Sequence, residues 1–148
     1  MLEFNTLLVP VDFSPISSSV FDQALELARG DDAVVILMHV IDPTVVDYVA
    51  GLGLETRQAI LRAARERAQR ELDALKARAG DRVDVQPMVC EGVPFLEILR
   101  KADDFQVDAI LMGKSAARDR IEKLLFGTTA EHVIRGTTRA VIVIPVVT

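Results

Sequence analysis

The chain has 148 residues, half of them apolar and 26% charged, a size and balance that suit one globular domain with its own core. A formal charge of −5 and a pI near 5.0 argue against the basic stripe that a nucleic-acid partner needs. No apolar run approaches the roughly 18 residues of a membrane span, and a lone cysteine, Cys90, with no secretory leader points to a cytoplasmic setting without disulfides.

Tryptophan is absent and aromatics are few, so the core is expected to be aliphatic. Leu7-Leu8-Val9-Pro10-Val11, ending in Asp12, predicts a short buried strand. Ser14-Pro15 suits an N-cap followed by the first helical position. The helix that follows carries Val20, Phe21, Ala24, Leu25, Leu27 and Ala28 at helical spacing and stops near Gly30. Val34 to Met38 predicts a second strand, which runs out at His39-Val40-Ile41-Asp42-Pro43. A loop through Gly51 and Gly53 leads to a long helix from about Glu55 to Ala79. There Ile60, Ala64, Ala68, Leu72, Leu75 and Ala79 make one apolar stripe, and Gly80 ends it.

The second half continues the alternation. Val83, Val85 and Met88 belong to a third strand whose alternation and Pro87 mark an edge. Pro94 opens a helix through Phe95, Ile98 and Leu99. Asp108 to Met112 is a fourth strand that stops at Gly113. After a polar loop, Ile121 to Arg135 reads as helix with Gly136 as its cap, and Ala140 to Val147 is the last strand. Five strands alternating with four helices imply a doubly wound α/β domain spanning residues 1–148. Its sheet is five-stranded, mainly parallel and covered by helices on both faces, and the natural strand order is 3-2-1-4-5.

That order sets strands one and four side by side, with the helices that follow them on opposite faces. A crevice then opens at their carboxyl ends, where doubly wound sheets bind ligands. Asp12 to Ser14 and Gly113 to Ala117 lie there, with Val40 beside them. A carboxylate at a strand end can accept from a ribose hydroxyl pair. Gly113 lets backbone approach a ligand. Gly127-Thr128-Thr129 offers backbone donors and two hydroxyls to phosphate oxygens, and Lys114 and Arg118 add positive charge. Each residue also has a plainer role. Asp12 could be a turn or cap residue, Gly127 a helix-packing glycine, and the two threonines could bond back to the preceding turn. His39 and His132 read as structural or exposed, with no metal-ligand spacing. Cys90 reads as a small core residue.

Leu8-Val9-Pro10-Val11-Asp12-Phe13-Ser14, Leu37-Met38-His39-Val40-Ile41-Asp42 and Glu91-Gly92-Val93-Pro94 resemble universal stress protein signatures. So do Asp108-Ala109-Ile110-Leu111-Met112-Gly113, Leu125-Phe126-Gly127-Thr128 and the Val-Ile-Val-Ile-Pro ending. The resemblance spans essentially the whole chain in the right order. It implies a stress-response module that binds ATP or AMP, with Mg2+ as a companion of the phosphates, and that acts as a homodimer through the C-terminal strand 140–147. By the same resemblance Asp12 contacts ribose, Val40 meets adenine through its backbone and Pro10 shapes the base pocket. Gly113, Gly127, Thr128 and Thr129 hold phosphates, with Met112 and Lys114 flanking Gly113 at the same site.

ATP-binding members share a G-x2-G-x9-G-[ST] loop. Gly113 and Gly127-Thr128 fit its two ends, but Ala116 or Ala117 stands at the middle glycine and the loop is one residue longer. This departure keeps open an adaptor of the same fold that binds no nucleotide. Other doubly wound functions fit less well. A receiver needs an acidic pair after strand one, a flavodoxin needs a glycine-rich loop there, and a dinucleotide enzyme needs G-x-G-x-x-G. Lys114-Ser115 lacks the upstream glycine of a phosphate-binding G-x4-G-K-S loop, because Asp108 stands in its place. No nucleophile–base pair suggests hydrolase chemistry beyond slow turnover of a bound ATP.

Overall fold

The computed structural model describes residues 3–115 and 128–147. In chain order the elements are β1 (Thr6–Pro10), α1 (Pro15–Leu27), β2 (Val34–Ile41), α2 (Pro43–Gly51) and α3 (Arg57–Ala79). They continue with β3 (Asp84–Glu91), α4 (Pro94–Asp104), β4 (Ala109–Ser115), α5 (Thr128–Gly136) and β5 (Ala140–Val146). The strands form one sheet in the order β3-β2-β1-β4-β5, every neighbouring pair parallel, as expected from the alternation.

Strict alternation along the strands divides the core into two layers. Leu7, Val9, Val35, Leu37 and Leu111 face α1 and α3, where they meet Val20, Phe21, Ala24 and Leu72. Leu8, Ile36, Met38 and Ile110 face the other way, against Ile98 and Ala102 of α4 and Val133 of α5. Both faces of β1 and β2 are therefore apolar, which is why these strands read as unbroken hydrophobic runs.

Several boundaries differ from expectation. The segment read as a loop after Asp42 is the separate helix α2. Asp42 is its N-cap, its carboxylate accepting from Thr44 N–H at 2.9 Å, and Pro43 holds the first position. The β-branched Val45, Val46 and Val49 and the nearby glycines masked a helix that Asp-Pro was signalling. The next helix, α3, starts at Arg57 behind a Thr56 cap. β4 runs past Gly113 to Ser115, paired with β5 throughout. Gly136 is the last residue of α5, not a cap beyond it, and a Cβ there would stand 2.8 Å from Leu99 Cδ1. That contact is with the end of a flexible side chain on α4, which a new Leu99 rotamer can relieve. The expected helical residues 121–127 lie outside the described part of the chain.

The sheet opens at one point because of a proline. Val11 N–H donates to Met38 O at 2.8 Å, toward β2, so the preceding residue turns its backbone toward β4. That residue is Pro10, which has no N–H to give. Pairing of β1 with β4 ends at Leu8↔Ile110, while β2 and β4 continue to Ile41 and Ser115. The short central strand between two longer neighbours leaves a notch at the carboxyl edge.

Candidate functional site

The notch is the floor of a cavity of about 410 Å³, within the range of small-molecule sites. Its apolar part is made by Pro10, Met38, Val40, Ile98 and Met112, and its polar part by Asp12, Ser14, Ser17, His39, Thr128 and Thr129. One side is the start of α1, another the start of α4, and a third the first turn of α5. The crevice thus lies between helices on opposite faces of the sheet, at the point where the strand order reverses.

Asp12 stands at the end of β1, exposed to this space. Its Oδ1 accepts from Ser14 N–H at 2.9 Å, and Ser14 in turn caps α1 by accepting from Ser17 N–H at 3.2 Å. Burial pushes the Asp12 carboxyl up, but hydrogen bonds from Ser14 and Ser17 outweigh it, so the group lies below the usual carboxylate value. Asp12 is therefore a fixed anion at neutral pH. Between it and Ser14, Phe13 adopts φ 66°, a left-handed backbone that bulky residues rarely take. Its ring stacks on His39, with centroids 4.4 Å apart and planes 29° from parallel. His39 Nδ1 lies 2.8 Å from Val11 O. The turn that carries Asp12 is thus held by the helix cap on one side and by a ring on the other.

The structure brings Pro10, Asp12, Val40, Met112, Gly113, Thr128 and Thr129 to one cavity. Lys114 is exposed on β4 and does not line it. Gly127, Ala116, Ala117 and Arg118 lie outside the described residues. At Gly113 the reason for glycine is internal: a Cβ would meet Ile16 Cγ2 at 2.5 Å and Val20 Cγ2 at 2.7 Å, so the vacated space belongs to α1. His39, which reads from sequence as structural or exposed, lines the cavity. The available signal was its parity, since it stands where the inward series Val35, Leu37 would call for another aliphatic residue. Cys90 is half-buried beside Val40 in the sheet, and burial pushes its thiol up, as befits a packing residue.

The sequence profile of the Universal stress protein family matches residues 3–145. The chain belongs to the universal stress protein family. Among universal stress proteins, MJ0531 of Methanocaldococcus jannaschii is 29% identical, over 95% of this chain and 82% of the relative. The solved structure of MJ0577 from the same organism superposes with a TM-score of 0.81 at 25% identity, covering 97% of each chain. Two further structures share the fold. One is a universal stress protein from Archaeoglobus fulgidus in complex with dAMP, 21% identical with a TM-score of 0.63, covering 97% of this chain and 98% of that one. The other is a universal stress protein in complex with cAMP, 19% identical with a TM-score of 0.65, covering 96% of this chain and 97% of that one.

Proposed function

We propose that the crevice binds an adenine nucleotide, ATP or AMP, and that this universal stress protein is a nucleotide-responsive stress module of the cytoplasm. One observation carries the reading: an apolar slot of Pro10, Met38, Val40 and Met112 adjoins a fixed carboxylate at the switch point of the sheet. A base fills such a slot, and Asp12 accepts from the ribose hydroxyls beside it. Thr128 and Thr129, at the first turn of α5, supply hydroxyls and N–H groups to phosphate oxygens. Gly127 completes the phosphate end by resemblance to the family loop. The complexes of related folds with dAMP and cAMP support the same ligand class. In this reading Mg2+ enters with the phosphates of ATP.

The whole chain acts as one domain in this reading, and two copies pair through β5. Among the described residues that strand pairs with β4 alone, and its Ala-Val-Ile-Val-Ile run would otherwise be a bare apolar edge. The adaptor alternative keeps one specific point in its favour, the alanine at the middle glycine of the loop. Acid extraction of purified protein for adenine nucleotide, followed by calorimetry with ATP and AMP on the parent and Asp12→Ala, separates the two. Asp12→Ala should bind about 1.5–3 kcal/mol more weakly, as for a hydrogen bond to a charged group. Equal binding by both refutes the ribose role, and a parent that neither carries nor binds nucleotide is the adaptor.

A further inference from the structure

The end of the β1–β2 ladder departs from what the sheet alone requires. Val34 N–H donates to Asn5 O at 2.8 Å, toward β1, whereas Ala33 O and Ile41 O accept from Asp84 and Gly92 on the β3 side. The even-numbered residues of β2 therefore turn their backbone groups toward β1. The last rung is Val11 N–H to Met38 O, and one rung further would place Val40 N–H on Val11 O. No such bond is formed. His39 Nδ1 takes that place, 2.8 Å from Val11 O. A carbonyl oxygen only accepts, so Nδ1 carries the proton. The same ring stacks on Phe13, whose φ of 66° turns the chain away from the sheet.

We propose that His39 is a positioning residue of the crevice: by taking the Val11 carbonyl it stops the ladder one rung early. Two things follow for a ligand, both resting on the nucleotide reading above. The N–H and C=O of Val40 stay open toward the cavity, a donor and an acceptor in line for the edge of a base. The Val11–Ser14 turn is also held where Asp12 faces the same cavity. With an apolar residue at 39, Val11 O is left without its partner, and the backbone can satisfy it by zipping Val40 N–H onto it. That closes the base edge without unfolding anything.

Two variants separate the donor from the ring. His39→Phe keeps a ring against Phe13 and removes the N–H, while His39→Asn loses the ring and keeps an amide N–H near the position of Nδ1. Amide hydrogen exchange read by NMR tests the ladder with no nucleotide present. In the parent, Val40 N–H should exchange at least about tenfold faster than Met38 N–H, which lies within the ladder, and His39→Phe should protect it. Calorimetry with ATP should show His39→Phe weakened about tenfold, the effect of about one hydrogen bond, with His39→Asn within about threefold of the parent. A Val40 amide as protected as Met38 in the unligated parent overturns the open edge whatever is bound. His39→Phe binding like the parent, or His39→Asn falling as far as His39→Phe, overturns the positioning role. A parent that binds no ATP instead refutes the nucleotide reading, and this role with it.

Discussion

Replacing Gly113 with alanine should destabilise the protein through helix α1. The added Cβ would stand 2.5 Å from Ile16 Cγ2 and 2.7 Å from Val20 Cγ2, where carbon atoms prefer about 3.5–4.0 Å. Relief requires a shift of about 1 Å. Both partners are β-branched helical residues with a strongly preferred χ1, and Val20 is only 1% exposed, so it cannot swing outward. The helix itself must lift from β4. Overpacking of this kind costs about 1–3 kcal/mol, and two clashes against stiff side chains place the expected loss at about 2–3 kcal/mol. Urea unfolding should show a lower midpoint with an unchanged slope. Thermal melting should fall by roughly 4–10 °C. Because Val20→Ala removes one of the two obstructing methyls, the double variant should recover at least about 1 kcal/mol relative to the sum of the single changes. A Gly113→Ala protein within about 0.5 kcal/mol of the parent, or a strictly additive double variant, would refute the argument that glycine is there for α1.

The Asp12 carboxyl lies below its ordinary value of 3.8, so the fold favours its ionised form, and that contribution is lost only as the pH falls through the lowered value. The difference in ATP affinity between the parent and Asp12→Ala should therefore stay constant from neutrality to about pH 5. A difference that fades across that interval by calorimetry contradicts the assignment. Asp108 Oδ2 accepts from Asn5 N–H at 3.0 Å and Thr6 N–H at 2.8 Å, tying the start of β1 to that of β4. Asp108→Ala should cost about 2–3 kcal/mol in urea unfolding, since it strips a charged acceptor from two donors. If β5 pairs across a two-fold axis, Ile142→Lys should yield monomer or insoluble protein. Sedimentation showing the parent as a monomer at every concentration would dismiss the dimer.

The fold was legible because the apolar runs of β1, β2 and β4 are short, continuous and separated by helical periodicity. That pattern leaves few right-handed arrangements of a parallel sheet. α2 was not legible because three valines and two glycines outweighed the Asp42-Pro43 start signal. At the crevice, Asp12 and Val40 could be placed from strand ends alone, and Thr128 from the hydroxyls that follow Gly127. Gly113 and His39 could not be understood that way. The meaning of Gly113 depends on where α1 lies across the sheet, and that of His39 depends on the rung that Val11 and Val40 do not form. Both are facts about neighbours distant in the chain, which no local spacing encodes.

Binding of an adenine nucleotide in the notch above β1 is tested most directly by an NMR titration of the isotope-labelled protein with ATP. Saturable shifts are expected at the amides of Val11 to Ser14, of Ile16 and Ser17, at Val40 and at Thr128 to Ala130, with the far end of the sheet around Asn5 and Asp32 unmoved. An unchanged spectrum at millimolar ATP, or shifts clustered away from these residues, would contradict that binding.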